Sequence, residues 1–204
     1  MRDSLTKSAL LRRRRDLALY ARVLPSLDLK RRQLATELAS ERRGLGALLE
    51  RRRDLAGAAA SAVPMMANEE ITLDNLVQVS EVKLQWTHAL GVPLPSLASV
   101  QMHRARYSLL ARPHWVDRVA ADITALARMD LEAAVRTERV RRLTAALDRS
   151  IQRVNLFNGV LIPQARDDIR RIGIALGDAE RMAIVRAKIA KSRASSSRRE
   201  GETG

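Results

Sequence analysis

Three histidines, His88, His103 and His114, are the side chains best suited to metal binding or proton transfer, and all lie mid-chain. None stands in a His-Glu-x-x-His arrangement or beside paired carboxylates at ligand spacing, so no metal site is expected from them. Carboxylates pair as Asp167-Asp168 and as Asp178-x-Glu180, both in arginine-rich sequence. Surface ion pairs are the expected outcome there, rather than general acid–base work. No Gly-x-x-x-x-Gly-Lys-Ser/Thr and no Gly-x-Gly-x-x-Gly occurs, so no phosphate-cradling loop is recognisable. The chain has no cysteine, which removes disulfides, thiolate ligands and thiol nucleophiles and suits a reducing compartment. A Ser–His–Asp set is defined by geometry and cannot be picked out here. The residues therefore predict no catalysis, no cofactor and no metal.

Charge is the remaining chemistry. The net charge is +14. Residues 1–61 hold 15 basic against 7 acidic residues, residues 62–116 hold 4 against 4, and residues 117–204 hold 18 against 12. The excess thus belongs to the two ends, including the clusters Arg12–Arg15 and Arg51–Arg53. A basic surface attracts nucleic acid, lipid headgroups or an acidic protein face. Nucleic acid fits poorly. Base stacking needs aromatics on the basic surface, yet Trp86, Tyr107 and Trp115 fall in the neutral segment. The basic residues also recur along both ends instead of preceding a single zipper.

The elements that carry this charge read as two long helices. With Leu10 as heptad position a, the a series is Leu10, Leu17, Leu24, Arg31, Leu38, Leu45, Arg52. The d series is Arg13, Tyr20, Leu27, Leu34, Glu41, Leu48, Leu55. Ten of these fourteen are apolar or aromatic, a strong coiled-coil pattern. Pro25 predicts a kink near residues 21–25 without a chain reversal, because the heptad phase continues across it. Gly44 and Gly46 weaken the helix locally and permit a close approach by a neighbour.

The second arm repeats every seven residues through Val119, Leu126, Ala133, Val140, Leu147, Val154 and Leu161. A strict seven-residue repeat implies left-handed supercoiling around a partner, and the nearest partner is the first arm. A looser line runs through Ile123, Met129, Leu143, Ile151 and Phe157. Pro163 is expected to interrupt the helix before the stripe resumes at Ala165, Ile169, Ile172 and Leu176.

Between the arms, Val77, Val79, Val82, Leu84 and Trp86 nearly alternate, with one slip between Val79 and Val82. Gly91-Val-Pro-Leu-Pro95 follows, so a short hairpin is expected, then a helix over residues 98–112 and a turn at Pro113. The predicted fold is mainly α: a long antiparallel two-helix coiled-coil hairpin with a small α/β knob between the arms. Its parts are an arm at 4–61, a knob at 62–116, an arm at 117–191 and a disordered polar tail at 192–204. The seam is expected at Leu10, Leu17, Leu24, Leu38, Leu126, Val140, Leu147, Val154 and Leu161. Such a rod has little room for an enclosed active site. The longest uncharged run, Leu84–His103, is broken by Gly91, Pro93 and Pro95 and is no membrane span. The charged stretch Met1–Leu24 is no secretory signal.

Several stretches together resemble a known family: Thr6-Lys-Ser-Ala-Leu-Leu-Arg12, Leu27-Asp-Leu-Lys-Arg-Arg-Gln-Leu34, Gly91-Val-Pro-Leu-Pro95 and Arg153-Val-Asn-Leu-Phe-Asn-Gly-Val-Leu-Ile-Pro163. With Ile169-x-x-Ile172 and the run Glu180-Arg-x-x-x-x-Arg186-x-Lys188, they resemble the D subunit of V-type (vacuolar/archaeal-type) ATP synthases over nearly the whole chain. The resemblance implies a non-catalytic central rotor shaft. It implies terminal helices inserted in a hexamer of catalytic and non-catalytic large subunits. The small F subunit of the stalk would bind the side, and a funnel subunit would link the knob to the proteolipid ring. The chain would then lie peripherally on the cytoplasmic side, reaching the membrane only through the complex. On this resemblance Arg12, Arg13, Arg14, Arg15, Arg181, Arg186 and Lys188 are expected hexamer contacts. Val92, Leu94 and Pro95 are expected knob contacts on the membrane side. Leu24-Pro-Ser departs from the family's smooth helix. The stalk protein of a flagellar export ATPase and a basic nucleic-acid-binding coiled coil are the alternative readings.

Overall fold

The computed structural model describes residues 5–62, 76–104 and 115–201, with side chains as far as Arg193 in the last stretch. The fold is mainly α, with paired antiparallel helices and a two-stranded antiparallel sheet. Helix α1 spans Lys7–Ala62, strand β1 Val77–Ala89 and strand β2 Val92–Arg104. Helix α2 spans Trp115–Leu156, a π-helical turn spans Phe157–Leu161, and helix α3 spans Ile162–Gly201. Thr6 caps α1, its hydroxyl accepting from the Ala9 N–H at 3.2 Å.

Two compact units are present, one of Met1–Leu29 with Ile151–Gly204, the other of Lys30–Ser150. In the second unit, Leu34 and Leu38 of α1 meet Leu143 and Ala146 of α2 around Val92 and Leu94 of β2. Leu34, Leu94 and Leu143 are almost wholly removed from water, each contributing about 2 kcal/mol of transfer free energy. A smaller cluster joins Leu76 to Val116 and Ala120. In the first unit, burial falls on Val154, Ala165 and Ile172.

The sheet is antiparallel, with Ala89 opposite Val92 and Val77 opposite Arg104. Leu90 and Gly91 make the turn at φ 55° and 78°. Two successive positive φ angles mark the tight turn whose twist matches paired strands. The expected slip between Val79 and Val82 is a register shift between Val79 and Glu81, which leaves Ser80 without a partner in the ladder. The helix expected over residues 98–112 is not formed where the structure describes it. Residues 98–104 continue β2, because β1 supplies ladder partners as far as Arg104. Residues 105–112 and the Pro113 turn lie outside the described residues.

Both prolines of the arms stay inside helices. Helix α1 runs through Pro25 unbroken. The Ser26 hydroxyl donates to the Val23 carbonyl at 2.7 Å beside it. Pro163 does not interrupt its helix as expected. The preceding turn widens instead, with the Ile162 N–H reaching back five residues to the Phe157 carbonyl. A proline ring clashes with the carbonyl four residues earlier, and a π-turn moves that carbonyl out of line. Burial then steps from Val154 to Ala165, eleven residues on, and again to Ile172, seven on. Leu161, expected in the seam, is only half-buried. This spacing is a four-residue stutter in the heptad pattern. Helix α3 runs to Gly201, into the segment whose composition marks a polar tail.

Candidate interaction surface and the seam that positions it

Three of the four charged residues that break the heptad pattern, Arg13, Glu41 and Arg52, meet opposite charges across the seam. Arg13 lies 3.2 Å from Asp168. Arg52 grips Asp130 through both carboxylate oxygens. Glu41 accepts from Arg139 Nε at 2.9 Å and from its Nη2 at 2.5 Å. The second Glu41 oxygen faces Arg136 Nη1 at 3.6 Å, an ionic contact longer than a hydrogen bond. Lys7 pairs with Glu180 in the first unit as well, so in each unit the α1 number rises as its partner's falls and the helices run antiparallel. A charge at an interior seam position costs stability unless paired, and it fixes register when it is.

Glu41 is the deepest of these groups, 9% exposed. Gly44 lies one turn further along α1, and a Cβ there would sit 2.7 Å from Arg136 Nη1. The glycine therefore makes room for the guanidinium that faces Glu41. At Arg52–Asp130, the hydrogen bond from Arg52 holds the Asp130 carboxyl below its ordinary value, and the same bond raises the arginine. Hydrogen bonds from Arg141 and then Arg142 pull Glu138 down to about 2.

The same helix face seats the hairpin. Arg139 Nη1 donates to the Pro95 carbonyl at 3.2 Å. Arg142 Nη1 donates to the Pro93 carbonyl at 3.3 Å, and its guanidinium lies 4.7 Å from the centre of the Trp86 ring. Val92, Leu94 and Pro95, expected to meet a partner, are buried in this chain. Val92 and Leu94 pack on Leu34, Leu38, Leu143 and Ala146, so these side chains anchor the hairpin to its own helices. The apolar surface of the hairpin is carried by Val79, Val82, Leu84 and Trp86.

The expected seam divides by depth. Leu38 and Val154 are buried, while Leu10, Leu17, Leu24, Leu126, Val140, Leu147 and Leu161 are half-buried. Leu34 and Leu143 are the deepest seam leucines. The first was readable as a d position, but the drifting second line on α2 gave no sign that Leu143 would outrank Leu147. Of the expected basic contacts, Arg13 turns into the helix pair toward Asp168. Arg12, Arg14 and Arg15 are exposed, as are Arg181, Arg186 and Lys188. Arg181 pairs with Asp178 at 3.0 Å.

The first unit carries much exposed apolar surface. Leu11, Leu19 and Leu29 on α1 and Ile174, Met182, Ile184, Val185 and Ile189 on α3 are all about half exposed. Residues 178–193 have no buried position at all. A shallow groove near 580 Å³ runs along this unit, floored by Leu17, Ala21, Leu24, Ile162 and Pro163 with Arg14 and Arg166 at its lip. The described helices are not apolar enough to cross a membrane. Apolar side chains interleaved with exposed guanidinium groups make a surface suited to an apolar, acidic protein partner.

The comparisons with known proteins agree with this picture. The family model for the ATP synthase D subunit matches residues 9–192. The V-type ATP synthase D subunit of Borreliella burgdorferi is 30% identical over 188 residues, covering 92% of this chain and 93% of that protein. The V-type ATP synthase D subunit of Chlamydia muridarum is 29% identical over 194 residues, covering 93% and 94%. That of Chlamydia felis is 27% identical over 203 residues, covering 97% and 96%. With a match that runs through both arms and the hairpin, this chain belongs to the ATP synthase D-subunit family.

Proposed function

We propose that this chain is the non-catalytic central-stalk subunit of a V/A-type ATP synthase, coupling ATP turnover to ion movement by rotating. The observation that carries this reading, beside family membership, is the apolar and basic surface of the first unit. Leucines and isoleucines left in water on paired helices are costly unless another protein covers them. A hexamer of large catalytic and non-catalytic subunits with an acidic lining would do so. The small F subunit of the stalk would bind alongside, and the hairpin would face the funnel subunit above the proteolipid ring. The chain would stay peripheral, on the cytoplasmic side.

Two paired helices suit this work physically. The apolar seam and its ion pairs resist relative twist of the helices, since twisting would break packing and hydrogen bonds together. A two-helix shaft is asymmetric, so a three-fold collar meets a different face at each of its subunit pairs. Rotation changes the collar's conformational balance only if the faces contact its open and closed states differently. Arg12, Arg14, Arg15, Arg186 and Lys188 are the side chains available for such differential contacts. Arg13, half-buried and bonded to Asp168, is less available for it.

The test is co-purification of the tagged chain from its native membranes. Recovery of two large ATPase subunits and a small one is expected. Recovery of export-apparatus proteins or nucleic acid in their place would overturn the reading. In the assembled enzyme, the triple substitution R12Q/R14Q/R15Q should weaken assembly or coupling about tenfold while helical content stays unchanged. Full coupling in that variant would remove these arginines from the interface.

A further inference from the structure

The two outer edges of the β-hairpin differ. Pro93 and Pro95 have no N–H, so the pairs His88–Pro93 and Trp86–Pro95 cannot be those that exchange ladder bonds. The backbone groups of all four residues therefore point away from the opposite strand. On the β2 side that edge is closed. The prolines offer no donor, and the Pro93 and Pro95 carbonyls accept from Arg142 and Arg139. On the β1 side, Trp86 and His88 direct an N–H and a C=O outward, and no third strand stands there among the described residues.

The rest of β1 has the character of an unfinished edge. It is 13 residues long, contains no proline, and every residue from 78 to 88 is exposed. Val79, Val82, Leu84 and Trp86 are between 39% and 52% exposed. Its two charges, Glu81 and Lys83, neutralise one another at 3.3 Å instead of guarding the edge. Folded chains usually blunt an apolar edge of this length with charge, proline or a covering element. Here one edge is blunted and the other is open.

We propose that the outer edge of β1 is a docking site for an extended segment of a partner protein, which adds as a third strand. The occupant is a strand because the open groups are alternate backbone donors and acceptors, which a helix cannot satisfy. Leu84 and Trp86 share one side of β1, and Lys83, Gln85 and Thr87 the other, so the incoming segment alternates apolar and polar residues. A second copy of this chain is the less suited occupant, since each copy carries +14. The proposal does not depend on the stalk reading, because it rests on the hairpin alone.

Amide hydrogen exchange at single-residue resolution tests it, on the full-length chain alone and in the assembly recovered from native membranes. In the isolated chain the Trp86 and His88 amides should exchange quickly, while Thr87, paired with Leu94, is protected in both states. In the assembly Trp86 and His88 should slow by about 100-fold. Unchanged exchange in the assembly overturns the proposal. So does protection in the isolated chain together with a doubled mass, which assigns the edge to a second copy. As a second readout, H88P removes an outward N–H without touching the ladder, and H88A keeps it. H88P should reduce partner retention about fivefold and H88A should not. Equal retention by the two variants also rejects strand addition. The composition of the recovered assembly reports separately on the stalk reading.

Discussion

At the scale of single residues, the charges inside the seam decide more than the leucines around them. Glu41 is almost buried against Arg139 and Arg136. Glu41→Ala strands the Arg139 guanidinium, while Arg136 keeps its bonds to Glu132, and should cost on the order of 3 kcal/mol in a urea unfolding experiment. The double change E41L/R139L removes the stranded charge and should recover most of that loss, short of the bond from Arg139 to the Pro95 carbonyl. A loss in E41A no larger than that of an exposed pair would show Glu41 to be solvated. Glu138 offers a second check. Its carboxyl is held at about 2 by Arg141 and Arg142, against 4.5 ordinarily. A lowered value means that its contribution is present above pH 4.5 and fades as the pH falls toward 2. A carbon-13 titration should find the Glu138 midpoint near 2, and R141A should move it upward. A midpoint at the ordinary value would mean that the two arginines do not hold it. The heptad reading marked Arg13, Arg31, Glu41 and Arg52 as exceptions. It paired none of them, because a partner across a seam depends on the register of a helix over seventy positions away for Glu41 and Arg52 and over a hundred away for Arg13.

At the scale of elements, repeats of local origin were legible and long-range compensations were not. Seven-residue spacing is imposed by each helix on itself, so both arms could be read from composition and phase. The strand continuing to Arg104 was missed because Ser99–Arg104 becomes extended through pairing with β1, a tertiary effect that outweighs propensity. The π-turn before Pro163 was missed for a related reason. Proline predicts a broken bond but not whether the chain stops or widens to absorb it. The hairpin turn invites a direct test. Leu90 sits at φ 55°, where a Cβ is crowded. Leu90→Gly should stabilise the hairpin by about 1 kcal/mol, seen as a raised melting temperature. A lowered one would mean that the Leu90 side chain packs more than its exposure suggests. Depth in the seam predicts another contrast. Leu143→Ala should cost about 3 kcal/mol, and Leu161→Ala, at the half-buried last position of the π-turn, about 1. Equal costs would place the π-turn in the packed seam.

At the scale of the whole molecule, the sequence announced the class of the protein more clearly than its working surface. Family motifs and charge distribution span the chain, and both could be read without coordinates. The site was only half visible. Exposed arginines were identified, but the bond from Arg13 to Asp168 and the packing of Val92 and Leu94 on the chain's own helices were not. Burial is a sum over distant neighbours, and no local pattern reports it. One feature of the seam has a mechanical meaning. An apolar heptad seam alone is smooth, and its helices could creep past one another by seven residues at little cost. Such a step would set Arg13 against Leu161 or Ala175, Glu41 against Glu132 or Ala146, and Arg52 against Ile123 or Thr137. The ion pairs thus act as detents. Under a twisting load they would hold the helices from sliding, and failure would come by fracture of a pair rather than by slow drift.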